Sequence, residues 1–135
     1  MIVVDSNVIA YCWIHGDRSE AAHRLRRLDA EWHAPVLWRS ELRNILMGYR
    51  RDGSLNAVQI RQIVAAAEAR LAGREHHVPS DRVLAVAEQS RLSAYDAEFV
   101  ALAEILGVPL VTEDRAILAA FPHSAMNIDG AVASL

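Results

Sequence analysis

Ile2-Val3-Val4-Asp5-Ser6-Asn7 decides how the rest of the chain is read. Three β-branched apolar residues in a row, without polar alternation, predict a short strand buried on both faces, as at the centre of a parallel sheet. Asp5 stands where that strand ends. Asp5-Ser6-Asn7 then starts a helix that runs to about Trp13.

Working outward, the same alternation recurs. His15-Gly16-Asp17 reads as a loop and Ser19–Leu28 as a helix with Ala22, Leu25 and Leu28 at helical spacing. Glu31–Val36 reads as a second strand, and Pro35 places it near an edge. Leu37–Arg51 is a helix closed by Asp52-Gly53. Leu55–Leu71 is another, with Ile60, Ile63, Val64, Ala67 and Leu71 on one stripe and Gly73 ending it. His76-His77-Val78-Pro79 offers a third strand. Ser80-Asp81 caps a helix to about Gln89, and Ser93–Leu106 is a further helix stopped by Gly107. Val108–Thr112 is an apolar strand, Asp114–Ala120 a short helix and Ala125–Ile128 a last strand. Strands alternating with helices predict the α/β class: a three-layer α/β/α sandwich around a central, mostly parallel sheet. No linker or repeat divides the chain, so a single domain over residues 1–135 is expected.

Composition removes several functions. The chain has 135 residues, of which 53% are hydrophobic, enough for a real core. Its 14 cations against 17 anions give a net charge of −3, which excludes a generic basic nucleic-acid coat. Every cation is arginine. Without lysine there is no Walker A loop, no Schiff base and no lysine general base. One cysteine, Cys12, excludes an intrachain disulfide and a Cys-rich zinc site. No stretch reaches the ~18 apolar residues of a membrane span. A cytoplasmic protein is expected.

In a doubly wound sheet, ligands bind beyond the carboxyl ends of the strands. Two acids sit there: Asp5 after Ile2-Val3-Val4, and Asp114 after Leu110-Val111-Thr112. Two more occupy unusual helical positions. Asp96 falls between Val100 and Ala103 on the apolar face of its helix, and Glu41 borders the arc of Trp38, Leu42, Ile45 and Tyr49. A carboxylate at the border of a core needs compensation. Two carboxylates about 4 Å apart repel by about 4 kcal/mol at an effective dielectric of about 20. A hard divalent cation removes that repulsion and polarises a phosphodiester, which is the physical case for a phosphodiesterase. With these four acids set aside, 14 cations face 13 anions, so a metal-loaded site would not repel a polyanion. Taken singly, each acid is also explained as a helix cap or a solvated residue; Asp5, Asp114 and the Ser93–Asp96 pair all have cap spacing. Only the joint placement of all four argues for a shared site.

At these residues the chain resembles the PIN-domain ribonucleases, and among them the toxins of VapBC-type toxin–antitoxin pairs. The resemblance rests on Val3-Val4-Asp5-Ser6-Asn7, Ser40-Glu41-Leu42-Arg43-Asn44, Tyr95-Asp96-Ala97 and Leu110-Val111-Thr112-Glu113-Asp114, in that order. It implies a Mg²⁺- or Mn²⁺-dependent endoribonuclease with one or two ions. Asp5, Glu41, Asp96 and Asp114 would be its catalytic, metal-holding acids. Thr112 would support the site, and Asn7 and Ser6 would orient carboxylates or waters. It also implies an RNA substrate, a cognate antitoxin protein and a homodimer.

Other residues carry weaker signals. Arg115, beside Asp114, is placed to touch a phosphate. Arg39, Arg43 and Arg50 share a stripe roughly opposite Glu41 on the helical wheel and read as a solvated face. Adjacent His76 and His77 point to opposite faces of a strand, so a structural role is expected. Cys12 reads as a small core residue, and Trp13, Trp32 and Trp38 as packing residues with base stacking as the rival. The 55–71 stripe, with Met47 and Tyr49 on the neighbouring helix, reads first as core and second as a surface for a second copy or an antitoxin peptide. Two further readings stay open. One is a binding module without catalysis, in which the acids only cap helices. The other is an aspartyl-phosphate receiver or phosphatase using Asp5, which the missing lysine disfavours.

Overall fold

The computed structural model describes residues 1–134. In chain order the elements are β1 (Ile2–Val4), α1 (Ser6–Tyr11), α2 (Ser19–Leu28), β2 (Trp32–Pro35), α3 (Trp38–Arg51), α4 (Ala57–Leu71) and β3 (Glu75–His76). There follow α5 (Ser80–Glu88), α6 (Ala94–Leu106), β4 (Leu110–Val111), α7 (Arg115–Ala120), β5 (Ala125–Met126) and α8 (Ile128–Ser134). The five strands form one sheet in the order β3-β2-β1-β4-β5. Every pairing is parallel, with Val3 opposite His33 on one side and Leu110 on the other.

The apolar opening strand is the centre of that sheet, and Val3 and Val4 are fully buried. From β1 the chain winds to one side through β2 and β3, then crosses to β4 and β5 on the other. The strand order therefore reverses between β1 and β4. That is where such a sheet opens a crevice at its carboxyl end. Helix α6 packs across β1, β2 and β4, with α5 against its outer side. It is buried on nearly all its faces, through Ala97, Phe99, Val100, Ala101, Leu102 and Ala103. On the other side α1, α3 and α4 form a connected layer, and α2 carries α8. The result is the three-layer α/β/α architecture with a parallel sheet.

Several boundaries differ from the sequence reading, each for a local reason. Strand β2 does lie near an edge, one in from it, with only β3 outside. Pro35 is tolerated because it is the last residue of β2, beyond the Ile2–Trp32 and Val3–His33 pairs with β1, while the flanking Ala34 and Val36 N–H groups reach β3 and the residue before it. Helix α4 starts at Ala57, because Asn56 and Gln59 close a capping box. Ser80 is the first residue of α5 and not its cap; Pro79 precedes it without a side-chain cap bond. The last strand stops at Met126, and the tail read as its end begins α8 at Ile128.

Within the arginine stripe on α3, Arg43 and Arg50 are exposed as expected, but Arg39 is not simply solvated. The Arg39 guanidinium grips Glu75 of β3 at 2.6 and 2.8 Å and reaches Glu68 of α4 at 3.2 Å. Trp38 Nε1 donates to the same Glu75 at 2.6 Å. This clamp fixes the start of α3 over the sheet edge, and with it the helix that carries Glu41.

Candidate active site

The carboxyl end of β1 releases the chain into α1 through Asp5. One carboxylate oxygen of Asp5, the N-cap of α1, accepts the Ser6 backbone N–H at 2.7 Å, the first free donor of the helix and not the second or third that a cap usually takes. Its other oxygen accepts the Thr112 hydroxyl at 2.6 Å. On the neighbouring strand exit, Asp114 caps α7 by accepting the Ile117 N–H at 3.0 Å. Its own backbone N–H donates to Thr112 Oγ1 at 3.0 Å. Thr112, fully buried, thus bridges the two strand-exit acids.

Two helices supply the other acids. The Ser6 hydroxyl donates to Glu41 Oε1 at 2.7 Å, joining α1 to α3. Ser93 caps α6 by accepting the Asp96 N–H at 3.1 Å, and a hydrogen bond from its side chain partly offsets the burial of the Asp96 carboxyl. Asp5, Glu41, Asp96 and Asp114 all line one cleft of about 380 Å³, together with Ser6 and Asn7. No arginine or histidine lines it.

The electrostatics follow from that crowding. Burial pushes the Asp5 carboxyl up, against the Thr112 and Ser6 hydrogen bonds, and the Asp114 charge pushes it further. Burial likewise raises Glu41; the Ser6 bond opposes this, while the charges of Asp5 and Asp96 add to it. Asp96 is raised by burial, then by Asp114 and Asp5. Asp5, Glu41 and Asp96 are thus each raised first by burial and then by neighbouring carboxylates, and among the described residues no arginine or histidine on the cleft wall relieves them. Among the described residues no three His, Cys, Asp or Glu side chains stand close enough to form a ready-made metal cage. The cleft is a carboxylate-lined opening, wider than a closed coordination sphere.

The remaining predicted residues fall in different places. Asn7 is exposed on the cleft wall. Arg115 is exposed at the start of α7 and does not line the cleft. Glu113 points elsewhere: it pairs with Arg18 at 2.7 Å and accepts the Ile128 N–H at 3.2 Å, fastening α8. His76 Nε2 lies 2.8 Å from His33 Nδ1, a structural contact, while His77 is exposed and its charge acts on Glu98 of α6.

Ser40, Asn44 and Tyr95 also line the cleft, and the sequence alone assigns them no role. Asn44 has a readable signal, since it lies three residues after Glu41 on the same helix face. Tyr95 adjoins Asp96 and is 65% exposed, offering an aromatic face at the cleft mouth.

Comparison with known proteins agrees with this geometry. The PIN domain family profile matches residues 2–122. The chain is 30% identical over 124 residues to Ribonuclease VapC3 of Pyrobaculum aerophilum, covering 90% of this chain and 95% of that protein. Among solved structures it resembles PAE2754 from Pyrobaculum aerophilum, with a TM-score of 0.77 at 24% identity over 98% of this chain and 94% of the other. It also resembles FitAcB from Neisseria gonorrhoeae, with a TM-score of 0.73 at 18% identity over 95% and 98%. With its parallel sheet and acid-lined switch point, the chain belongs to the PIN domain family.

Proposed function

We propose that this chain is a Mg²⁺- or Mn²⁺-dependent endoribonuclease, the toxin of a toxin–antitoxin pair. The observation that carries the reading is the convergence of Asp5, Glu41, Asp96 and Asp114, from four separate places in the chain, on one cleft with no basic residue in its wall. The donor set fits the ion. Hard carboxylate oxygens suit Mg²⁺ and Mn²⁺, and Mg²⁺ keeps several waters, so it does not need a closed protein cage. Asp5, Glu41, Asp96 and Asp114 would hold one or two ions, directly or through water. When bound, such an ion supplies Lewis-acid charge to a phosphodiester and lowers the pKa of water.

The chain's own residues do the rest. Thr112 and the Ser6 N–H fix both oxygens of Asp5, and the Ser6 hydroxyl fixes Glu41, so the acids are aimed before substrate arrives. Asn7, Ser40 and Asn44 offer polar contacts to the RNA backbone, and Tyr95 offers a stacking face for a base. Arg115, exposed at the start of α7 next to Asp114, would offer a further contact to a phosphate. The helix-capping role of Asp5 and Asp114 is compatible with this, since each spends only part of its lone-pair capacity on the cap.

The VapC3 relative supports a protein partner for this chain, and so does the likeness to FitAB, whose structure is solved bound to an IR36 DNA fragment. The surface that fits a cognate antitoxin or a second copy is the groove between α3 and α4. It holds about 470 Å³ and carries Met47, Ile60 and Val64. A cytoplasmic location belongs to the same proposal, as the place where RNA is made; separately, no helix among the described residues is long and apolar enough to cross a membrane.

The test is cleavage of a labelled RNA by the purified chain. Cleavage in Mg²⁺ that stops in excess EDTA, and that slows by roughly tenfold or more in Asp96→Asn, supports the reading. Undiminished cleavage in excess EDTA overturns it.

A further inference from the structure

A second pocket opens at the other end of the sheet, beside the residues that lead into β2 and β3. It holds about 210 Å³. Three of the chain's 14 arginines line it, Arg26 from α2, Arg70 from α4 and Arg74 just after α4, and no acid does. Among the described residues neither Arg26 nor Arg70 has an ion pair. Arg74 donates only to the backbone carbonyls of Ala30 and Arg70. In a protein of net charge −3, three unneutralised guanidinium groups on one small pocket are an unbalanced arrangement.

Two of the guanidinium groups are held, Arg74 by its carbonyl bonds and Arg70 by an aromatic ring. Arg70 lies over the Trp13 ring at 4.9 Å from its centroid. Its Nη1 is buried and has no hydrogen-bond partner, although buried donors are almost always satisfied. Burial, and then the positive charge of Arg26, hold the Arg70 guanidinium below its ordinary value. Behind the arginines the wall is apolar, with Ile9, Trp32 and Leu71 buried. Cys12 is also there, and burial pushes its thiol up to about 11, so the pocket carries no nucleophile at neutral pH. Its chemistry is that of binding.

We propose that this pocket binds a phosphomonoester with a compact ring, of the nucleoside monophosphate class. A phosphate carries close to two negative charges and three acceptor oxygens, which match three guanidinium groups; a carboxylate offers one charge and answers one fork. The pocket is smaller than the ~300 Å³ at which drug-sized sites begin. It therefore takes the phosphate and one ring against the Ile9–Trp32–Leu71 wall, with the rest of the ligand at its mouth. This site is separate from the carboxylate cleft and does not depend on the nuclease reading.

The test is calorimetric titration of the full chain in excess EDTA, so that no metal links a nucleotide to the carboxylates. The probes are adenosine 5′-monophosphate, adenosine and inorganic phosphate. The monophosphate should bind at least tenfold more tightly than either of the others. Arg70→Gln should weaken it at least tenfold, and so should Arg26→Gln, which lies on a different helix and keeps the assay informative if the first variant fails to fold. No binding of the monophosphate at millimolar concentration overturns the proposal. So does equal binding of adenosine, or Arg26→Gln binding as the parent does. Inorganic phosphate binding as tightly as the monophosphate overturns the role given to the apolar wall.

Discussion

The Thr112 hydroxyl donates to Asp5 Oδ2 at 2.6 Å and accepts the Asp114 N–H at 3.0 Å, so one buried side chain connects two acids 109 residues apart. It locks the exits of β1 and β4 together at the point where the sheet order reverses. Thr112→Val keeps the shape and removes the hydroxyl. Asp5 then loses a buried donor, at a cost of about 1–3 kcal/mol. Urea unfolding should show that loss, and RNA cleavage should fall with it. An unchanged midpoint would mean that the bond contributes nothing.

Asp96 tests crowding, because Ser93 is the residue that caps α6 and its hydrogen bond to the Asp96 side chain only partly offsets burial. Its carboxyl is raised in the fold by burial and by Asp114 and Asp5. A raised carboxyl favours the folded state while protonated, so that contribution is present below the unfolded value near about 3.9 and is lost as pH rises through the folded value. Asp96→Asn removes the loss. In EDTA at pH 7 the variant should melt above the parent, and the gap should close in acid. Mg²⁺ should raise the parent's melting temperature more than the variant's. A variant that melts below the parent in EDTA at pH 7 would contradict the crowding.

Glu75 titrates the other way. The Arg39 hydrogen bond holds its carboxyl below the usual range, with help from Trp38. Its stabilisation is therefore fully present above the unfolded value near about 4.3 and is lost as pH falls through the lower folded value. Glu75→Gln should cost about 1.5–3 kcal/mol at pH 7, the range for hydrogen bonds to charged groups. The difference from the parent should shrink below pH of about 4. A difference independent of pH would show that packing, not charge, holds the clamp.

Cys12 is 5% exposed, and burial raises its thiol to about 11. Iodoacetamide at pH 8 should modify it only at the rate of opening, and denaturant should speed the reaction by orders of magnitude. Prompt labelling of the native chain would show that the residue is accessible.

Much of this molecule is legible in the sequence because its signals are local. Ile2-Val3-Val4 can be placed at the sheet centre by its unbroken apolar run, and Gly107, in the left-handed region at φ 67°, marks the end of α6. The four acids are visible as carboxylates in places where a lone charge is costly. What escapes depends on partners far along the chain. A helical wheel of α3 shows Arg39 facing away from Glu41 but cannot show Glu75, 36 residues on. Pro35 rightly places its strand near an edge, but which strand lies outside it is seen only in the pairing with β3. Asp129-Gly130 disguises α8, since a glycine inside a seven-residue helix reads as a turn. The arginine pocket is invisible for the same reason: Arg26, Arg70 and Trp13 meet only in the fold.

Whether the four acids hold a metal is decided by a crystal of the chain soaked in Mn²⁺ and measured for anomalous scattering. A peak is expected in the cleft bounded by Asp5, Glu41, Asp96 and Asp114, absent from a crystal of Asp96→Asn treated alike. A fully soaked crystal with no manganese in that cleft, or with manganese only elsewhere, would contradict the metal-dependent nuclease.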